Sequence, residues 1–309
     1  MTPIVSVIIP TYNRKSLTLR AIASVAAQTF GHYELIVVDD DSSDGTGRAV
    51  LSAAPSVRLI RHESNRGTAA ARNTGVAAAL GRWVAFLDSD DHWEPNKLAV
   101  QVEILAHLCS PYLACCTGYY FHRRGEVSQR LPTRSSHQFA SEILWGCSIS
   151  PGTTLVVERG CFKTVGPFDE NLRRLEDWDW LLRYAQHGDM ACAPAPLAHV
   201  YFEDPGVSAG GGLRLQNTLE AIDQIERKHA AVIRSKGVAD YRKFRSSLYV
   251  ERAAVMYHQK KGWRAISFLA MAMFLFPFRN AAFFQSLLRD LKLRCQSSTS
   301  NGTQSGTPA

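Results

Sequence analysis

The sequence lacks the cysteine spacings that hold zinc or build a disulfide framework. Its 309 residues contain 7 cysteines, an odd number, and no two of them form a C-x-x-C pair. Thiol-rich zinc sites and paired disulfides are therefore disfavoured, and the composition favours a reducing, cytoplasmic environment. The first residues carry no basic region followed by a long apolar stretch, so a secretory signal peptide is not expected.

Long apolar segments and nucleic-acid-binding signatures are also missing. The run from Phe268 to Phe278 has eleven residues without a polar side chain, whereas a membrane-spanning helix needs about 20. The 35 basic residues outnumber the 28 acidic ones and give a net charge of +7, yet no zinc-finger spacing or RNA-binding signature accompanies them. An anionic partner such as a membrane surface or a phosphorylated substrate is expected, and nucleic acid is not.

Basic residues flank the apolar run on both sides, and they are Lys260, Lys261, Arg264 and Arg279. Together with Trp263, they predict that residues 263–294 form an interfacial segment lying on the inner face of the cell membrane. A helix pair packed against the rest of the chain or against another subunit is the alternative. Residues 296–309 are rich in Ser, Thr, Gly and Gln and are expected to be disordered.

Short apolar, β-branched runs alternate with helical periodicity over the first third of the chain. Strands are predicted at four places: Ile4–Ile9, Leu35–Val38, Val57–Ile60 and Trp83–Leu87. A helical segment follows each of them, and the last runs to about Leu108. This alternation predicts an α/β fold with a mostly parallel sheet flanked by helices.

Polar clusters follow all four predicted strands, at residues 11–14, 39–44, 65–67 and 88–91. In open parallel sheets, ligands bind outside the carboxyl ends of the strands. These clusters are therefore expected to form one convergent site.

The cluster after the fourth strand is the most informative. Asp88, Asp90 and Asp91 place three carboxylates within four positions. Oxygen ligands suit Mg²⁺ or Mn²⁺, which often bind one or two carboxylates and complete their shell with substrate phosphates. The pattern favours a metal-held nucleotide diphosphate. The alternative is a solvated acidic turn before the helix that starts near Pro95.

A second acidic cluster opens a predicted helix near residue 175. Glu176, Asp177 and Asp179 lie in its first turn, where carboxylates complement the helix dipole. Their number exceeds what capping requires, and aromatic neighbours suit a sugar pocket. Trp178 and Trp180 cannot share one face, so one is expected to face the sugar and the other the core.

These segments together resemble the family 2 glycosyltransferases, which have the Rossmann-like GT-A fold. The matching stretches occur in order between residues 4 and 210: Val7–Arg14, Val37–Thr46, Asn65–Gly67, Ala71–Gly75, Phe86–Asp91 and Glu176–Asp179. Asp41 departs from the family pattern, which usually has Gly or Asn there. The resemblance implies a catalytic domain over residues 1–212, and residues 213–295 lie outside it as a helical, basic and apolar extension.

The resemblance assigns the nucleotide to the first two polar clusters. Asp40 would accept a hydrogen bond from the N–H of the base ring, since a carboxylate is only an acceptor. Tyr12 would pack on the base, and Pro10 and Thr11 would line its edge. Asp39 belongs to the same group, with capping of the following turn as its alternative role.

The remaining roles concern the diphosphate and the transfer step. Asp90 would bind the metal directly, and Asp88 would contact the ribose or hold the metal through water. Arg72 would contact phosphate or pair with an acidic loop; these alternatives are equally supported. Asp177 would be the catalytic base of an inverting reaction, and Glu176 would support it.

The resulting expectation is an inverting, metal-dependent hexosyltransferase. It would use Mn²⁺ or Mg²⁺ to move a sugar from a nucleotide-diphospho-sugar to a hydroxyl of a glycan or lipid-linked acceptor, in cell-surface polysaccharide synthesis. The alternative is a catalytically inactive protein of the same fold that binds sugar nucleotides or serves as a scaffold. A nucleotidyltransferase is disfavoured because no Gly-rich loop follows the first strand, and a processive synthase because no Gln-x-x-Arg-Trp stretch occurs.

Overall fold

Four parallel strands form one half of the sheet in the computed structural model. They are β1 (Val5–Thr11), β2 (Tyr33–Asp39), β3 (Arg58–Arg61) and β4 (Trp83–Phe86). Strand β1 lies between β2 and β4, with Ile8 opposite Ile36 on one side and Phe86 on the other. All seven residues of β1 are buried, which explains their nearly continuous apolar sequence. The α/β class and this parallel half are as predicted.

The other half of the sheet is mixed. It contains β5 (His92–Trp93), β6 (Ala114–Arg123), β7 (Glu126–Arg130), β8 (Val156–Glu158) and β9 (Ala191–Phe202). The strand order is β3-β2-β1-β4-β8-β6-β9-β5, with β7 paired to β6 outside this path. Strand β8 is antiparallel to both β4 and β6, whereas β9 is parallel to β6. The apolar, β-branched pattern of Thr153–Val157 also predicts a strand, and this prediction is partly wrong: Thr153 and Thr154 belong to a helical turn, and the strand is Val156–Glu158.

Helices connect and follow the strands. They are α1 (Lys15–Ala26), α2 (Thr46–Ala53), α3 (Thr68–Ala78), α4 (Lys97–His107), α5 (Phe139–Glu142), α6 (Pro151–Thr154), α7 (Cys161–Thr164), α8 (Glu176–Tyr184), α9 (Gly211–Lys236), α10 (Val238–His258) and α11 (Gly262–Leu275). Helix α3 approaches β1 closely at Gly75, where an added Cβ would collide with the side chain of Ile8. This approach fixes the start of α3 beside the carboxyl ends of β1 and β2.

The structure describes residues 2–108, 113–123, 125–132, 138–146, 151–202 and 211–277. The chain divides into two compact units, Met1–Gln224 and Ile225–Ala309. This division falls within α9, and the predicted domain boundary at residue 212 stays a prediction. The predicted tail, residues 296–309, lies outside the described residues.

The second unit contains the end of α9 together with α10 and α11. Ala265, Leu269 and Ala272 form the buried side of α11, whereas Trp263 and Phe274 on its other side are each 84% exposed. Within the part of the chain that the structure describes, no helix is both long and apolar enough to cross a membrane.

A buried lysine in the first unit makes stability depend on pH. Lys97 is fully buried, and its Nζ donates to Gln101 Oε1 at 2.6 Å and lies 4.0 Å from the centre of the Trp93 ring. Burial lowers the pKa of Lys97 to about 7. The unfolded chain therefore binds more protons than the folded one between about pH 7 and the ordinary lysine pKa near 10.4.

We expect Lys97 to contribute a rise of about 1–3 kcal/mol in the free energy of unfolding across this window. Burial raises the pKa of the Cys115 and Cys161 thiols, which contribute in the opposite direction above about pH 8.5, so the Lys97 contribution is the difference in pH dependence between the wild type and Lys97→Met. Urea unfolding at pH 7 and at about pH 9.5 measures the difference. The exposed Lys163 provides the control, and Lys163→Met should keep the wild-type pH dependence. If the free energy of unfolding had the same pH dependence in Lys97→Met and Lys163→Met, a neutral, buried Lys97 would be contradicted.

Candidate active site

A single buried arginine joins the two acidic clusters. Arg72 in α3 donates through Nη2 to Asp88 Oδ1 at 2.7 Å and through Nη1 to Glu176 Oε1 at 2.6 Å. The arginine side chain is only 4% exposed. Burial opposes its charge, but Asp88, Glu176 and Asp177 more than compensate, so the pKa of Arg72 lies above its usual range. Arg72 was expected either to contact phosphate or to pair with an acidic loop. In this structure it pairs with acidic residues.

Asp177 lies in the electrostatic field of this bridge. Burial raises its pKa to about 7, and the neighbouring Glu176 charge adds to the shift, while Arg72 opposes it. Asp177 Oδ1 accepts a hydrogen bond from the Trp178 N–H at 2.6 Å at the start of α8. The preceding residue, Leu175, has φ of 59°, a left-handed conformation that turns the chain into the helix. A carboxylate with a pKa near neutrality is well matched to proton abstraction at physiological pH.

The Asp88–Asp91 turn holds its three carboxylates in different environments. Asp90 pairs with Arg14, and its backbone carbonyl accepts from Arg20. Asp91 is 2% exposed and accepts hydrogen bonds from the Thr153 hydroxyl and from the Tyr201 N–H. Burial, together with the charges of Asp88 and Asp90, raises the pKa of Asp91 well above its ordinary value. Asp91 therefore ties the turn to α6 and β9. The other two carboxylates remain partly open to solvent.

The open carboxylates fit a divalent cation. Asp88 Oδ2 and Asp90 Oδ1 receive no hydrogen bond from any described residue, because each arginine engages only the other oxygen. Both are hard oxygen donors of the kind that Mg²⁺ and Mn²⁺ prefer. No group of three or more His, Cys, Asp or Glu side chains within the described ranges could hold a metal by itself. The donor set thus suits an ion that shares its shell with substrate phosphates.

Asp40 is anchored at the start of α3. Its Oδ1 accepts from the Arg66 N–H at 2.9 Å and is 2.7 Å from His62 Nδ1, and its Oδ2 accepts from the Gly67 N–H at 2.7 Å. Gly67 has φ of 94°, which favours glycine. A carboxylate offers about four acceptor positions. Three are used here, so Asp40 holds the loop before α3 and keeps one position for a further donor.

The other residues predicted to contact the nucleotide differ in exposure. Asp39 is fully buried, and its Oδ1 caps the next turn by accepting from the Ser42 N–H at 2.9 Å, which was its alternative role. Thr11 is buried with its hydroxyl 2.7 Å from that of Thr18, and Pro10 is buried in β1. Tyr12 is 47% exposed and offers a free ring surface at the end of β1.

The turns after β1 and β2 each contain a non-glycine residue with positive φ, and a hydrogen bond joins the two turns. Asn13 has φ of 50°, and its Oδ1 accepts from the Ser43 N–H at 2.7 Å. Asp41 has φ of 70°, a left-handed conformation that Gly and Asn adopt readily. This geometry explains why the family pattern usually has one of those residues where this chain has Asp41.

The expectation that one tryptophan of α8 faces the sugar is wrong. Trp178 and Trp180 are both buried, at 1% and 0% exposure. Their indole N–H groups donate to the carbonyls of Ile143 at 2.8 Å and Gly166 at 3.0 Å. Both rings therefore anchor α8 in the core. His199 in β9 also has two side-chain partners: its Nε2 lies 2.8 Å from Glu94 Oε1, and its Nδ1 lies 2.9 Å from Nε2 of His122 in β6.

Sequence reasoning missed two residues of this site. Arg14 belongs to the first matching motif. Its ion pair with Asp90 joins residues that are 76 positions apart, and no local sequence pattern indicates such a contact. Gly152 packs so closely against Asp88 and Arg72 that an added Cβ would collide with both side chains. A Pro-Gly dipeptide is typical of turns in general and does not indicate this contact.

Sequence comparisons find a family and several relatives that match this chain. The model of "Glycosyl transferase family 2" matches residues 6–165, about half of the chain. The UDP-Glc:alpha-D-GlcNAc-diphosphoundecaprenol beta-1,3-glucosyltransferase WfgD of Escherichia coli is 46% identical over 103 residues, which are 33% of this chain and 41% of WfgD. The putative teichuronic acid biosynthesis glycosyltransferase TuaG of Bacillus subtilis is 43% identical over 107 residues, 33% of this chain and 42% of TuaG. The matched segment thus spans less than half the length of either relative.

Solved structures share the fold. The S. aureus protein TarS has a TM-score of 0.64 at 19% identity, covering 90% of this chain and 50% of TarS. The mannosyltransferase PcManGT from Pyrobaculum calidifontis, solved in complex with GDP-Man and Mn²⁺, has a TM-score of 0.57 at 22% identity, covering 93% of this chain and 79% of PcManGT. The predicted GT-A fold is thereby confirmed.

The close approach of Gly152 predicts a steric effect on the Arg72 bridge. In Gly152→Ala the new methyl group displaces Asp88 or Arg72, and we expect a loss of about 1–3 kcal/mol in the free energy of unfolding. Gly160 is the control, because nothing lies within 4 Å of a Cβ there. Gly160→Ala should leave the urea midpoint unchanged or raise it slightly. Two variants of equal stability would contradict the close packing of Gly152.

Proposed function

Because the chain belongs to glycosyl transferase family 2, we propose that it is an inverting glycosyltransferase that moves a hexosyl group from a nucleotide-diphospho-sugar to a hydroxyl acceptor. The observation that carries this proposal is the Arg72 bridge between Asp88 and Glu176. It couples the turn predicted to hold the donor diphosphate to the acidic pair predicted to activate the acceptor.

The acidic pair supplies the base in this proposal. Asp177 takes the proton from the acceptor hydroxyl while that oxygen attacks the anomeric carbon opposite the leaving group. One displacement breaks the bond to the diphosphate and inverts the anomeric configuration. Arg72 compensates the charge of Glu176, so that Asp177 is deprotonated near neutral pH despite its burial.

The first polar clusters bind the donor. The exposed ring of Tyr12 lies beside β1 as a stacking surface for the base, and the remaining acceptor position of Asp40 suits a ring N–H. Asp88 and Asp90 would hold Mn²⁺ or Mg²⁺, which when bound neutralises charge on the departing nucleoside diphosphate. The fit of their open oxygens to a hard cation supports this assignment.

A lipid-linked acceptor in cell-surface polysaccharide synthesis is the substrate class that we propose. The name of WfgD specifies an acceptor on diphosphoundecaprenol, and that of TuaG specifies teichuronic acid biosynthesis. We further propose peripheral contact with the membrane through the predicted segment 263–294. The exposed side of α11, with Trp263 and Phe274, supports it, and the segment beyond residue 277 lies outside the described residues.

Nucleotide binding provides the primary test. We expect titration calorimetry with UDP, GDP, CDP and dTDP to give micromolar binding of one nucleotide, at least about tenfold tighter with Mn²⁺. Asp90→Ala should lose the gain from Mn²⁺, and Glu103→Ala, at an exposed carboxylate, should keep it. If no nucleotide binds under either condition, the inactive scaffold becomes the better explanation.

The role of Asp177 predicts a pH dependence. A base with a pKa near 7 must be ionised, so kcat/KM should rise with pH up to about 7 and then level off. Asp177→Asn should lower kcat by about 10²–10⁴-fold and leave the donor affinity unchanged, because an amide cannot accept the proton. A variant with the wild-type rate would remove Asp177 from this role.

A further inference from the structure

A cavity in the second unit combines arginines with apolar side chains. It has a volume of about 640 Å³ and lies among α9, α10 and α11. Arg234, Arg242 and Arg245 line one side, and Met271, Phe274 and Leu275 line the other. Among the described residues, no acidic side chain lines it. The family match, residues 6–165, does not include any of these helices.

The arginines carry more positive charge than their neighbours compensate. Arg245 pairs with Glu226, but that carboxylate also binds Arg252 at 2.8 Å. Arg234 and Arg242 have no carboxylate partner among the described residues. The Arg234 guanidinium lies 4.7 Å from the Tyr241 ring centre, and Arg242 Nη2 donates to the Leu275 carbonyl at 3.0 Å. Two guanidinium groups at the cavity are thus available to an anion.

The apolar side of the cavity continues onto an exposed helix face. Met271 and Phe274 are 46% and 84% exposed, and Trp263 lies on the same side of α11, eight and eleven positions earlier. Solvent exposure of large apolar side chains costs free energy that an alkyl chain would recover. A cavity with an anion site at one side and an apolar strip at the other matches an amphiphile rather than a free polar anion.

We propose that this cavity binds the phosphate group of a membrane amphiphile, with Arg234 and Arg242 on the phosphate oxygens and the hydrocarbon chain along Met271 and Phe274. Guanidinium groups bind phosphate with paired, charge-assisted hydrogen bonds. The phosphate belongs either to a bilayer phospholipid or to a polyprenyl phosphate carrier. The site goes beyond the proposed transfer reaction, since its occupancy requires neither donor nor turnover.

Vesicle co-sedimentation of the full chain tests this site. The arms are phosphatidylcholine alone, phosphatidylcholine with phosphatidylglycerol, phosphatidylcholine with a polyprenyl phosphate, and each anionic vesicle with excess inorganic phosphate. Binding to one anionic vesicle identifies the source of the phosphate. We expect Arg234→Gln/Arg242→Gln to reduce the partition coefficient at least about tenfold. Phe274→Gln should also reduce it, by removing apolar contact at an exposed position that folding does not need.

Arg227→Gln/Lys236→Gln is the matched control, because it removes the same charge from exposed positions of the same unit outside the cavity. It should retain most of the binding. The proposal is overturned if the full chain binds no anionic vesicle, if both double variants lose binding equally, or if Phe274→Gln binds like the wild type. Circular dichroism melting verifies that each variant is folded. Nucleotide titration of the same variants should match the wild type, so failure of this site is distinguishable from failure of the proposed transfer.

Discussion

The organisation of the first unit depends on one buried charge. Arg72 is held by carboxylates that lie 16 and 104 positions away along the chain, Asp88 and Glu176. Removing one partner of such a pair leaves an uncompensated buried charge, which is strongly unfavourable. The helix that carries Arg72 is in turn fixed by the contact of Gly75 with β1 and by the hydrogen bonds from the loop before it to Asp40. The geometry of both acidic clusters therefore follows from how α3 packs.

The carboxylates of this site differ in burial and hydrogen bonding, and these surroundings decide what each carboxylate can do. Asp91 is buried and hydrogen-bonded, so it serves the structure of the turn, whereas Asp88 and Asp90 keep one oxygen each open. Asp177 has a pKa near neutrality because burial and Glu176 raise it and Arg72 limits the rise. In the proposed function, residues of the same chemical type thus serve as an anchor, as cation ligands and as a base.

The second unit differs from the first in the side chains that it buries and exposes. Its helices pack through small and aliphatic side chains such as Ala265 and Leu269. At the surface they leave aromatic side chains and two arginines, Arg234 and Arg242, that have no carboxylate partner among the described residues. Exposed aromatic surface is unfavourable in water, and aromatic side chains next to arginines are favourable at an interface between water and hydrocarbon. A membrane-linked substrate and a cavity for a phosphate-bearing amphiphile both agree with it.

The sequence by itself determined the parallel half of the sheet, the convergence of the polar clusters at its edge and the family. Those features depend on local periodicity and on motifs of a few residues, which a linear pattern retains. The partners of each charge were decided only by tertiary structure: Arg72 with both acidic clusters, Arg14 with Asp90, and Asp40 with the loop before α3. The burial of Trp178 and Trp180 and the mixed half of the sheet were decided there too. Such contacts join residues far apart in the chain, and their energies depend on burial, which no local pattern encodes.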